Sequence, residues 1–212
     1  MPTQSLQIAG RPFQLQLPDP THMLDQAVTG EAQGRDGWDP YWGLLWAAAP
    51  LTAQLILQAP PRSQRALELG CGVGLTGIAA LAAGLNVTFS DQSAEAVQLA
   101  LSNAAMNGHP DSKGLVFGWH QPPADFAPCD FLFGSDILYD RKAHAPLLLT
   151  LKQLLTPGGI VWIGDAGRAN AGAFTDAAAA AGWSVRLYDH RLLPIRQPQH
   201  LQFRLLVLEH EE

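Results

Sequence analysis

Cysteine is nearly absent from the 212-residue chain: Cys71 and Cys129 stand in different segments, with no Cys-x-x-Cys pair. That spacing suggests neither a disulfide framework nor a zinc site, and it makes a reducing cytoplasm the default compartment. Cations are scarce as well, 13 Lys and Arg against 19 Asp and Glu, for a net charge of −6. No basic run and no arginine–aromatic stripe appears, which argues against a broad nucleic-acid surface and leaves a cationic or neutral partner as the better match. Long apolar runs are also missing. No window approaches the ~20 apolar residues that cross a bilayer, and residues 1–13 lack the basic-then-apolar order of a leader. The expectation is a soluble protein with no membrane partner. What the chain does have is bulk: 47% of it is hydrophobic, enough at this length to bury one domain's core. Its seven histidines are scattered singly and suggest no metal.

Apolar strand patterns alternate with helical ones along most of the chain, without repeats. Strands are expected at 65–69, 87–90, 115–119, 130–134 and 160–164, and helices at 75–83, 93–106, 143–155 and 169–181, with Ser93 a natural N-cap. Five such steps imply a parallel sheet. Two further strand patterns, 184–188 and 202–208, follow with no helix between them and should pair antiparallel. The expected fold is α/β: a Rossmann-like, doubly wound, seven-stranded sheet, mostly parallel with an antiparallel C-terminal strand. Residues 13–17, Phe-Gln-Leu-Gln-Leu, read as an edge strand or hairpin, and 30–38, rich in glycine and charge, as a lid. The chain therefore divides into an N-terminal extension, 1–37, and a main domain, 38–212.

Residues 66–77, Ala-Leu-Glu-Leu-Gly-Cys-Gly-Val-Gly-Leu-Thr-Gly, carry an apolar strand into a glycine-rich turn that opens a helix. Such a turn brings backbone N–H groups close to a ligand. About 20 residues on, Asp91 closes the second strand, where a carboxylate can accept from both ribose hydroxyls, with Gln92 beside it. Two cofactor classes use this arrangement. Gly72-x-Gly74-x-x-Gly77 satisfies a dinucleotide fingerprint, and a nicotinamide oxidoreductase stays open on that count. Glu68, just before the first glycine, would repel a pyrophosphate but favour the sulfonium and ammonium of S-adenosylmethionine. Gly70, Cys71 and Gly72 are then the cofactor loop, Cys71 serving as a small side chain. At the fourth strand's end, Asp136-x-x-Tyr139 should emerge at the same rim.

These motifs resemble the seven-β-strand, class I, S-adenosylmethionine-dependent methyltransferases, and Asp136-x-x-Tyr139 resembles the Asp/Glu-x-x-Tyr group dominated by protein-lysine enzymes. Residues 40–47, Pro-Tyr-Trp-Gly-Leu-Leu-Trp-Ala, and 164–168, Gly-Asp-Ala-Gly-Arg, are similar to the branch that methylates electron-transfer flavoprotein β subunit lysines, with its nicotinamide-N-methyltransferase-like relatives. Ala166 stands where that branch has proline. The resemblance implies that Trp46 borders the donor, Trp119 stacks near the adenine and Ser135 contacts the cofactor. It implies a metal-free transfer to a protein lysine, with Asp136 orienting the amine and Tyr139 shaping the rim. A small-molecule N-methyltransferase and a cofactor-binding module without turnover remain alternatives. Trp42 and Trp46, four apart, would share one helical face, and Asp165 with Arg168 would make a local surface pair. The oligomeric state is not readable.

Overall fold

A computed structural model describes residues 1–19, 21, 25 and 40–210; the 30–38 segment read as a lid lies outside them. Chain order gives a hairpin of β1 (Thr3–Ile8) and β2 (Arg11–Gln16), then α1 (Ala48–Gln58), β3 (Ala66–Leu69), α2 (Leu75–Ala82), β4 (Val87–Asp91) and α3 (Ala94–Met106). β5 (Lys113–Val116), β6 (Cys129–Ser135), α4 (His144–Leu154), β7 (Leu155–Asp165), α5 (Asn170–Ala180), β8 (Trp183–Tyr188) and β9 (Arg204–His210) follow.

Strands β3 to β9 form one seven-stranded sheet in the order β5-β4-β3-β6-β7-β9-β8. β4, β3, β6 and β7 pair in parallel, β5 joins β4 in parallel, and β9 runs antiparallel to both neighbours. Six strands thus point one way and β9 the other, the doubly wound arrangement expected from the sequence. The order turns back on itself at β3, and the crevice such a reversal opens lies beyond the carboxyl ends of β3, β4 and β6.

Alternation along the central strands divides the core. Leu67, Leu69 and Leu132 face a cluster with Leu147 and Leu151 of α4 and Phe174 of α5. Ala66, Phe131 and Phe133 face the other layer, with Leu55 and Ile56 of α1 and Ala80 of α2. Both faces are covered, which is why these strands read as continuous apolar runs. The hairpin turns at Ala9 and Gly10, whose φ of 49° and 77° fit the mirror-image turn that matches strand twist. Ile8, Phe13 and Leu15 then pack with Val97, Ala100 and Ala104 of α3.

Three expectations change. β5 ends at Val116 rather than 119; the Phe117 N–H still reaches the Asp91 carbonyl at 3.0 Å, and the chain then peels away from the sheet. β7 begins at Leu155, directly after α4, because Leu155 already pairs with Cys129 before the register slips at 156–159. Trp42 and Trp46 do not share a helix face: Trp42 lies in a short 3-10 turn, Pro40–Gly43, and α1 begins only at Ala48. Among the described residues no helix is long and apolar enough to cross a membrane.

Candidate active site

The glycine loop between β3 and α2 forms the floor of a cavity of about 670 Å³. Gly70 and Gly72 take φ of 62° and 50°, the left-handed region that glycine adopts without strain. A Cβ on Gly70 would lie 2.9 Å from Ile137 Cγ2, and one on Gly72 2.8 Å from the Trp42 carbonyl oxygen. The loop is therefore close-packed behind and bare toward the cavity. Asp91, at the end of β4, braces it: one carboxylate oxygen accepts from Gly72 N at 3.1 Å and the other from Ser93 N at 3.0 Å. Ser93 caps α3 by accepting from Ala96 N.

Trp119 and Gln92 line the same cavity. Departure of the chain from β5 delivers Trp119, and Thr150 of α4 fixes it by donating its hydroxyl to the Trp119 carbonyl at 3.0 Å. The Trp119 ring edge stands 3.7 Å from where a Gly70 Cβ would be. Trp46, Ser135, Asp136, Tyr139 and Arg168 complete the wall. Ser135 lies 3.3 Å from the Thr76 hydroxyl, and Tyr139 is 47% exposed.

Asp136 is enclosed, its side chain 1% exposed. One oxygen accepts from Ala48 N, at the start of α1, at 2.7 Å; the other accepts from Arg168 Nε at 3.1 Å and from Ala166 N at 3.4 Å. The carboxylate expected to orient an amine is thus committed to the helix start and to Arg168. Arg168 in turn lies over the Trp46 ring, its guanidinium carbon 5.0 Å from the centroid.

Other expected placements change too. Asp165 and Arg168 are not a surface pair: Asp165 is fully buried and bonds Arg204 Nε at 3.0 Å, while Arg168 turns to Asp136. Glu68 does not face the cavity. Strand alternation sends it beneath α2, where Gly77 has room for it only because it lacks a Cβ. There it is 2% exposed with Oε2 unpartnered. Burial foremost, and then the charge of Asp91, pushes its carboxyl well above the ordinary range, against the pull of the Gly77 amide. Cys71 borders a small adjoining cavity with Trp46, Gly70 and Gly72 instead of the main one; burial raises its thiol above the usual value.

Two roles are not legible in the sequence. Arg168 pairs with Asp136, 32 residues earlier, and nothing local announces that partner. Asn103 lies on the buried face of α3, and its Nδ2 donates to the carbonyls of Val73, in the glycine loop, at 2.9 Å and of Gln16 at 3.2 Å. A polar residue on an otherwise apolar helix stripe was the available signal.

The sheet order, the antiparallel β9 and the loop-and-acid floor together define a class I methyltransferase fold. A TehB-like SAM-dependent methyltransferase of Corynebacterium glutamicum shares it, with a TM-score of 0.64 at 20% identity over 91% of this chain and 100% of that one. A family described as lysine methyltransferase matches residues 36–173, and the chain belongs to that family. The mouse protein N-lysine methyltransferase METTL21A is 33% identical over 106 residues, 47% of this chain and 48% of that protein. The mouse electron transfer flavoprotein beta subunit lysine methyltransferase is 28% identical over 171 residues, 77% of this chain and 62% of that protein. The chain spans about half the length of METTL21A and of several other curated relatives it matches.

Proposed function

We propose that this protein transfers a methyl group from S-adenosylmethionine to nitrogen, its acceptor the ε-amine of a protein lysine. The observation that carries the reading is one cavity bounded by a backbone-exposing glycine loop, a strand-end carboxylate and an enclosed acid–arginine pair.

The residues present fit that donor. A Cβ on Gly70 or Gly72 would collide with Ile137 or the Trp42 carbonyl, so only glycine lets the loop pack here with its backbone along the cavity, where a ligand can meet it. Asp91 would hold the ribose hydroxyls, Trp119 and Gln92 would flank the base, and Trp46 and Ser135 would border the tail. Bound there, the donor supplies a sulfonium-activated methyl carbon. The protein's task is to hold the nucleophile in line and keep water out. A lysine amine, with an ordinary pKa of about 10.4, arrives protonated and must lose its proton first. Beside a sulfonium in a pocket closed to water, the ammonium form would be disfavoured. Asp136, with both oxygens engaged, acts as a positioning residue for α1 and Arg168, and Tyr139 stands at the mouth where the proton leaves to water. Tyr41, Trp46 and Tyr139, 43%, 36% and 47% exposed, make an aromatic rim suited to an aliphatic stem ending in an amine. That rim favours a protein lysine over a small molecule. Cys71 and Cys129 are both free and buried, consistent with a reducing cytoplasm.

Calorimetric titration with S-adenosylhomocysteine tests the donor site. The expected result is micromolar binding that Asp91→Ala weakens by about 10- to 100-fold, as loss of charge-assisted hydrogen bonds would. Preference for NADH overturns the reading. Labelled methyl transfer to protein, followed by hydrolysis, should place the label on lysine; label on another residue overturns the acceptor assignment.

A further inference from the structure

Arg168 is a cation for which the proposed transfer has only an indirect use, yet the fold holds it with unusual care. Its backbone N–H donates to Asp165 Oδ1 at 2.9 Å, as does that of Gly167. Its carbonyl accepts from Arg204, and Arg204 forms with Asp165 a buried ion pair at 3.0 Å. From that fixed turn the side chain reaches the cavity wall, where Nε meets Asp136 and the guanidinium face covers Trp46. It stays 31% exposed. Among the described residues, its two Nη groups have no hydrogen-bond partner.

Trp46 ties this arginine to the glycine loop, because Trp46 also borders the small adjoining cavity with Gly70, Gly72 and Ser135. A ligand lying on the loop therefore meets the Trp46–Arg168 pair. We propose that Arg168 is a donor-binding residue whose free fork takes the α-carboxylate of S-adenosylmethionine's amino-acid tail, an assignment that rests on the donor reading above. A carboxylate entering a half-enclosed cavity loses water and needs a cation in return. A guanidinium is the side chain whose geometry meets both its oxygens at once. Asp136 makes the arrangement tenable without ligand: it balances the arginine's charge and fixes its plane through Nε, leaving the outer donors unspent. Lys142 also lines the cavity, from the exposed turn Arg141–Ala143. Its backbone N–H is held by Asp140 Oδ1 at 2.9 Å, but its side chain has no ion pair or ring contact among the described residues, and its ammonium is a flexible point charge.

A purely structural role, in which Arg168 only steadies Asp136 and Trp46, makes a different prediction. It would affect every ligand of the cavity alike, whereas a carboxylate contact affects only ligands that own the carboxylate. The experiment is calorimetric titration of wild type, Arg168→Ala, Arg168→Lys and Lys142→Ala with S-adenosylhomocysteine and with 5′-methylthioadenosine, which keeps the nucleoside and thioether but lacks the tail. Arg168→Ala should weaken S-adenosylhomocysteine by about 10- to 100-fold and methylthioadenosine by less than about threefold, with Arg168→Lys between. Lys142→Ala should leave the ratio of the two affinities unchanged. Wild type should discriminate against the methyl ester of S-adenosylhomocysteine by a similar factor, an arm that stands even if Arg168→Ala fails to fold. Equal losses for both ligands, no loss for either, or a ratio that collapses in Lys142→Ala would each overturn the assignment while leaving the donor reading in place. Wild type binding neither nucleoside would overturn the donor reading and this inference with it.

Discussion

At the scale of single residues, a carboxylic acid with no room for its charge sits under the glycine loop. Glu68 is enclosed by α2 and Phe89, and one of its oxygens has no partner. Its carboxyl is raised well above 4.5, so the folded protein keeps a proton that the unfolded chain releases. Where the folded state binds more protons, stability falls as pH rises, here by up to about 1.4 kcal/mol per pH unit above the unfolded value. Glu68→Gln keeps the shape without the proton. Urea denaturation between pH 5 and 8 should show a flatter stability profile for the variant and, at the upper end, a more stable protein. The acid beside the first glycine was legible in the sequence, as were Asp91 and Asp136. The direction Glu68 faces was not, because its side chain is set by strand alternation and by Gly77, nine residues on. Asp136 adds a second point at this scale. Its φ of 56° is rare for a residue with a side chain, and strain of this kind gathers at functional positions.

At the scale of elements, α3 does two jobs that its pattern only half revealed. Its N-cap and its apolar stripe could be read directly, but its role as a partner for β2 could not. Asn103 Oδ1 accepts from Gln16 N at 2.8 Å, and Asn107, one turn later, accepts from Gln14 N at 3.0 Å and donates to its carbonyl at 2.7 Å. Two amides spaced four apart thus extend the pairing edge of β2 from a helix. Asn103 alone also reaches Val73 in the glycine loop, so the hairpin and the cavity floor share an anchor. Asn103→Ala leaves buried backbone groups unpaired and should cost about 2–4 kcal/mol of stability, summing two or three such groups. Asn107→Ala, which does not touch the loop, should destabilise less and leave S-adenosylhomocysteine affinity intact. Chemical denaturation and calorimetry on the pair would check both statements. The shortened β5 follows the same logic: 117–119 have a strand-like pattern because Phe117 is buried in the core and 118–119 are half-buried beside the cavity, not because they pair in a sheet.

At the scale of the whole molecule, the antiparallel strand β9 connects the chain's end to its site. Asp165 and Arg204 stand directly opposite each other in the β7–β9 ladder, and their ion pair secures the turn that presents Arg168. Removing one partner strands a buried charge, at a cost of about 3–5 kcal/mol. Arg204→Ala should accordingly lower the melting temperature by roughly 6–20 °C, and its remaining folded fraction should bind S-adenosylhomocysteine more weakly than wild type.

The sequence by itself determined the doubly wound sheet, the antiparallel tail, the loop at 70–74 and the acids at 91 and 136. Each of these rests on local signals: periodicity, turn chemistry and the spacing of a strand end from a helix start. Only the tertiary structure decided that Asp136 pairs with Arg168, that Asp165 pairs with Arg204, that Glu68 lies beneath α2 and that Asn103 joins the hairpin to the loop. Those pairings unite residues from 9 to 87 positions apart, and their partners are chosen by which strand lies beside which and which face a helix covers, information that no window of the sequence contains.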